Sequence, residues 1–93
     1  MAFRVMVHPE VQKALEGLPK DRRRKVREAL GRLSENPFTS RPETDIKEIK
    51  GQAGRRDVFR LRVGDYRVLY DVEGSTVWVT ELFRRERGYR RNR

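Results

Sequence analysis

The chain is predicted to adopt an α+β fold in the order β-α-α-β-β-β, an antiparallel β-meander with an N-terminal αα-hairpin packed on one face. Three observations predict it. Two apolar stripes of helical period occupy the first third of the sequence, and from Ile46 onward the apolar period changes to two. The dipeptides Gly64-Asp65 and Gly74-Ser75 then divide the alternating part into tight hairpins. With 93 residues, one domain spanning 1–93 is expected, because two separate cores could not each bury enough apolar surface.

Phe3, Val5 and Val7 alternate with Arg4 and Met6 and read as a short first strand. His8-Pro9-Glu10 starts a helix, with proline in its first turn and a carboxylate near its positive end. Val11, Ala14, Leu15 and Leu18 form its core stripe, and Gly17 to Lys20, with Pro19, breaks it. The second helix carries Val26, Ala29, Leu30 and Leu33 at the same spacing and stops at Asn36-Pro37. On its other face Glu28 precedes Arg32 by four residues, the favourable order for an ion pair. Residues 37–45 read as loop. Ile46 and Ile49 suggest a ragged strand before the turn at Gly51 to Gly54, and Val58–Val63, Tyr66–Val72 and Thr76–Phe83 are three clear strands.

Charge narrows the function classes. Lys and Arg number 23 against 14 Asp and Glu, a formal net charge of +9, which favours phosphate polymers or acidic proteins as partners. There is no cysteine, so disulfides, thiolate nucleophiles and Cys-based zinc sites are excluded, and His8 is the only histidine. The N-terminal MAFRVMVHPE is too interrupted by charge for a signal peptide, and no apolar run approaches the ~20 residues of a membrane span. A cytoplasmic protein with no membrane association is expected.

Pairing across Gly64-Asp65 sets Arg62 opposite Arg67 and Arg60 opposite Leu69. Because side chains alternate, Phe59, Leu61, Val63, Tyr66, Val68, Tyr70 and Val72 share a core face, and Arg60, Arg62 and Arg67 share the other. Like charges directly opposite one another cost roughly 0.2–1 kcal/mol, which an anion lying on the face would relieve. The alternative is a solvated face with an acidic neighbour such as Asp57, Asp65 or Asp71. Pairing across Gly74-Ser75 brings Leu82 beside Arg67, so Arg84 and Arg85 continue into the same end of the sheet. The tail from Arg84 to Arg93 holds six arginines, Glu86 and one aromatic, Tyr89, a composition that suits stacking on bases beside phosphates.

Several chemistries are set aside: no phosphate-cradling glycine loop, serine triad or carboxylate metal cluster is present. His8 reads as a helix-start residue. The remaining residues suit cleavage of RNA by its own 2′-hydroxyl, in which the protein orients the substrate and stabilises charge on the phosphorane. Arginine stays protonated and exchanges protons poorly, so the rate would come mainly from geometry.

The run from Val58 to Tyr70, and within it Arg60-Leu61-Arg62-x-Gly64-x-Tyr66-Arg67-x-x-Tyr70, resembles the central hairpin of the RelE/ParE toxin superfamily. The opening strand and αα-hairpin, the Ile49-Lys50-Gly51 segment and Arg85-Glu86-Arg87-Gly88-Tyr89 fit the same plan, and the chain is most similar to the archaeal RelE-type mRNA interferases. The resemblance implies the toxin of a type II toxin–antitoxin pair, a ribosome-dependent, metal-independent endoribonuclease that cleaves mRNA in the A site. It implies a RelB-like antitoxin and the ribosome as partners, and no cofactor. The catalytic positions it implies are Arg67 at the phosphate, Arg85 near the leaving group, Tyr89 on the substrate base and Arg60. RNA-binding is expected of Arg62, Lys50, Arg55, Arg56, Arg84, Arg87 and Arg90. Two residues before Arg60, where bacterial members have a lysine proposed as base, this chain has Val58, and the spacing to Tyr89 is shorter; general base and acid stay unassigned. The competing readings are a ParE-type inhibitor of DNA gyrase and a non-enzymatic basic binding module using the αα-hairpin.

Overall fold

The structure, a computed structural model, describes residues 2–49 and 58–85. Its elements are β1 (Arg4–Val7), α1 (Pro9–Glu16), α2 (Lys20–Glu35), β2 (Asp45–Ile49), β3 (Val58–Val63), β4 (Tyr66–Glu73) and β5 (Thr76–Arg84). They form one five-stranded sheet in the order β1-β5-β4-β3-β2. The α+β class and the meander agree with expectation, but two features differ. The sheet is mixed, because β1 lies parallel to β5 with Val5 beside Val77 and Val7 beside Val79. The ragged segment is a full strand, with Asp45 to Ile49 paired against Arg62 to Val58. Both pairings join residues distant in sequence, which alternation alone does not specify.

Local chemistry sets the helix ends. The His8 Nδ1 accepts from the Glu10 backbone N–H at 3.2 Å, so the lone histidine caps α1, with Pro9 in its first turn. Gly17 ends α1, and Arg23 donates to the Glu16 carbonyl at 3.2 Å. Asn36 stops α2: its Oδ1 accepts from the backbone N–H groups of Phe38 and Thr39 at 2.9 and 3.2 Å, offering the chain an alternative to helix. Arg41 donates to the Arg32 carbonyl at 3.0 Å, placing a cation at the negative end of α2. Arg32 does not pair with Glu28; it reaches the Thr44 hydroxyl at 2.9 Å and the Glu43 carbonyl at 3.0 Å. A partly buried loop that needs donors outcompetes an exposed ion pair worth a few tenths of a kcal/mol.

Both helices give their apolar stripes to one sheet face. Val11, Leu15, Val26, Ala29, Leu30 and Leu33 join Ile46, Leu61, Val68, Tyr70, Val77 and Val79 in one core. Ala14 is exposed, so the α1 stripe is narrower than its spacing suggests. With these faces occupied, neither helix is free to enter a nucleic-acid groove by its apolar side.

Tyr70 ties the sheet to the loop after α2. It is fully buried, stacks on Phe59 with centroids 5.5 Å apart, and donates to the Pro37 carbonyl at 2.7 Å. Burial pushes its hydroxyl pKa well above the usual 10.0, and the Arg41 charge opposes this only in part. A raised folded-state pKa contributes stability that is present below pH 10 and lost as pH climbs towards the folded value. Tyr70→Phe leaves the Pro37 carbonyl unpaired and is expected to cost about 1–3 kcal/mol at neutral pH. The wild-type advantage should shrink between about pH 8 and about pH 11 in urea titrations. A constant difference would show that Tyr70 ionises equally in both states.

Candidate nucleic-acid interface

The face of the sheet away from the helices is built by the two hairpin turns and one irregularity. Gly64 and Gly74 have φ of 60° and 61°, the left-handed conformation that glycine takes without steric cost at the first central position of a tight hairpin. The β3–β4 register follows directly: Arg62 opposes Arg67, Arg60 opposes Leu69 and Phe59 opposes Tyr70, as expected. Across β4–β5 the expected register does not hold. Phe83, not Leu82, lies beside Arg67, because the pairing shifts between Leu69 and Tyr70. Leu69 meets Glu81 and Tyr70 meets Val79, so Thr80 is the extra residue of a β-bulge. The bulge turns Leu82 onto the core, where it packs with the buried cluster, and leaves exposed Glu81 off it.

One row across the face therefore reads Asp45, Arg62, Arg67, Phe83, and the next reads Lys47, Arg60, Leu69, Glu81. Asp45 is the acidic neighbour that the arginines need. Its carboxylate accepts from Arg60 at 3.3 Å and lies 3.8 Å from Arg62. Asp65 and Asp71 do not take that place, and Asp57 lies outside the described residues. The Arg60 Nε is buried with no partner among the described residues.

Arg67 is the most enclosed of the cluster, only 8% exposed. Its guanidinium donates to the Gly64 and Tyr66 carbonyls at 3.1 Å each, which folds it back over its own turn. Arg62 is about half exposed. The end of β5 is tied to the same turn by the Arg85 N–H, which donates to the Asp65 carbonyl at 2.7 Å. Arg84 sits on the helix-side face with its guanidinium 5.9 Å from the centre of the Tyr66 ring, a cation–π distance. The bulge is the reason: it moves Arg84 to the other face and puts Phe83 beside Arg67.

The tip of the β3–β4 hairpin is thus ringed by Arg60, Arg62, Arg67, Arg84 and Arg85 against Asp45 and Asp65. At the other end of the same face the pair Met6 and Trp78 is apolar and partly exposed. Tyr89, Arg87, Arg90, Lys50, Arg55 and Arg56 lie outside the described residues. Among the described residues no group of three or more His, Asp or Glu side chains could hold a metal ion, and no helix is long and apolar enough to cross a membrane. Sequence reasoning missed Asp45 and Phe83. For Phe83 a signal existed: the buried apolar positions Val77 and Val79 are odd, whereas Leu82 is even, and only an inserted residue keeps all three on one face.

The comparisons place this five-stranded sheet, with an αα-hairpin on one face and arginines on the other, in a class of small toxins. Residues 5–89 match the family model of the ParE toxin of the type II toxin–antitoxin system parDE. The chain is 34% identical over 92 residues to a protein of Methanocaldococcus jannaschii named as toxin RelE1, covering 97% of this chain and 98% of that one. The chain belongs to the RelE/ParE toxin superfamily. Among solved structures, the archaeal RelE–RelB complex from Pyrococcus horikoshii contains a similar chain, 36% identical, with a TM-score of 0.79 over 94% of this chain and 99% of that one. The RelBE2 toxin–antitoxin complex of Mycobacterium tuberculosis shares the fold, with a TM-score of 0.70 at 24% identity over 91% of this chain and all of that one.

Proposed function

We propose that the protein is a RelE-type toxin that cleaves mRNA in the ribosomal A site through attack by the RNA's own 2′-hydroxyl. The carrying observation is the gathering of Arg60, Arg62 and Arg67 on one sheet face, where Asp45 is shared between Arg60 and Arg62, one carboxylate against two guanidinium groups, and leaves positive charge for a phosphate. In this reaction the 2′-oxygen bonds to the adjacent phosphorus and the bond to the 5′-oxygen breaks. The products are a 2′,3′-cyclic phosphate and a 5′-hydroxyl, with one proton moving from the 2′-oxygen to the leaving oxygen.

In this reading Arg67 neutralises the phosphorane, Arg60 and Arg62 hold the substrate charge, and Arg85 stands near the leaving oxygen. Tyr89 stacks on a base, and Lys50, Arg55, Arg56, Arg84, Arg87 and Arg90 add phosphate contacts. Arg67 is nearly covered, so engagement requires its guanidinium to swing off the Gly64 and Tyr66 carbonyls. A ribosome-bound message would drive that step by offering a phosphate, an anionic acceptor whose two oxygens match the guanidinium fork, in place of two neutral carbonyls. The cognate partner is a RelB-like antitoxin, as in the complexes of the solved relatives.

Adding purified protein to a translation extract and mapping message ends tests the reading. Cuts within translated codons are expected, and intact message with normal peptide synthesis would overturn it. The ParE family match favours a second reading, inhibition of DNA gyrase, which a supercoiling assay distinguishes because only that reading predicts a block.

A further inference from the structure

On the helix side of the hairpin tip, a cleft runs between α2 and the β3–β4 turn. It consists of two adjoining hollows of about 230 and 450 Å³, which share Lys25, Val63 and Gly64 as walls. The absent side chain of Gly64 leaves the floor open: nothing stands within 4 Å of where its Cβ would be. Arg22 and Lys25, three residues apart and so on one side of α2, line the smaller hollow, and Arg62 lines the larger. Tyr66, with Arg84 over its ring, closes the rim.

Their neighbours on α2 are occupied, and these two are not. Arg23 donates to the Glu16 carbonyl and Arg24 lies 3.9 Å from Asp21, whereas Arg22 and Lys25 are exposed and form no ion pair with any described residue. Acidic groups are few at the smaller hollow, where Asp65 is the acidic lining residue; Glu28 and Glu43 border the larger one. The charge also runs against helix stability. Lys20, Arg22 and Arg23 occupy the first turn at the positive end of α2, where a cation costs about 0.3–1 kcal/mol; Asp21 is the one acid there, and Pro19 supplies no side-chain cap.

We propose that this cleft is a second phosphate site, which grips RNA backbone away from the scissile bond. Arg62, Arg67 and Arg84 surround one hairpin tip from both faces, so a strand held on the arginine face continues over Gly64-Asp65 into the cleft. Arg22 and Lys25 bind phosphates there as point charges and take no part in the chemistry. The inference rests on the RNA reading above, and its ligand is RNA backbone, from either the message or the ribosome.

The test compares the full-length protein with Arg22→Gln/Lys25→Gln and with Arg27→Gln, a control on an exposed α2 cation outside the cleft. Affinity for a labelled single-stranded RNA 12-mer and for ribosomes without message is measured against salt. Single-stranded binding loses about 0.7 in the log–log slope for each phosphate contact removed, so the double variant should lose about 1.4 and the control nothing. A fall with the oligomer assigns the cleft to message, and a fall with ribosomes alone assigns it to ribosomal RNA. Unchanged slopes with both, or an equal fall for Arg27→Gln, overturn the proposal. If the wild type binds with the expected slope difference yet cuts no message, the nuclease reading fails and the cleft stands.

Discussion

Replacing Arg67 with alanine is expected to slow message cleavage in a translating extract by about 10²–10³-fold, the usual cost of removing one group that stabilises a developing negative charge. The side chain is held over the hairpin turn by two carbonyl contacts, so its charge is kept at the tip and reaches the phosphate once the guanidinium swings off them. Arg67→Lys keeps the charge but not the planar fork, and it should recover only part of the rate. Arg62→Ala should be milder, because Arg62 is about half exposed and its removal also relieves repulsion with Arg67. Losing the Arg67 carbonyl contacts should lower stability by roughly 1–3 kcal/mol. Rates are therefore compared well below the melting temperature of each variant, with far-ultraviolet circular dichroism to verify folding. A rate within threefold of wild type, in folded protein, would remove Arg67 from the chemistry and assign the stabilisation of the phosphorane to another group.

Leu61→Ala is expected to be among the most damaging core substitutions, at about 2–5 kcal/mol. Small domains have only about 5–15 kcal/mol of total stability, so much of it would disappear. Leu61 is fully buried in the middle of β3, between Ile46 and Val68 in the pairing. Its immediate neighbours, Arg60 and Arg62, point to the opposite face. One strand therefore carries the core on one side and the candidate site on the other, and loosening the first disorders the second. Leu69→Ala, on the arginine face and only partly buried, serves as the comparison and should cost about 1 kcal/mol or less. Guanidinium titrations report the difference as a shift in midpoint at constant slope. Equal midpoints for the two variants would contradict the assignment of faces.

The same strand shows why much of the candidate site's arrangement was legible in the sequence. A two-residue turn led by glycine leaves one register for Val58–Val63 against Tyr66–Val72, so Arg62 opposite Arg67 follows from counting. The helix ends were legible for a similar reason, since His8-Pro9 and Asn36-Pro37 act within a few residues of themselves. Asp45 was not. Its contact with Arg60 and Arg62 depends on β2 pairing with β3 across an intervening segment whose length sets no register. Arg32 likewise forsook its neighbour Glu28 for Thr44, a partner twelve residues away that only the fold brings near.

By itself, the sequence determined a basic α+β domain, its two core-facing helices, the hairpin at Gly64-Asp65 and the arginines gathered on one side of it. All of these depend on periodicity or on turns, which act over a few residues. The tertiary structure alone decided that β1 joins β5 in parallel, that Asp45 bridges Arg60 and Arg62, and that the Thr80 bulge sends Arg84 to the helix side with Phe83 beside Arg67. These outcomes depend on which distant surfaces bury the most apolar area, a competition that no local pattern records. The bulge shows it best: it inserts one residue so that Val77, Val79 and Leu82 all reach the core, and in doing so it divides the cations at the hairpin tip between the two faces.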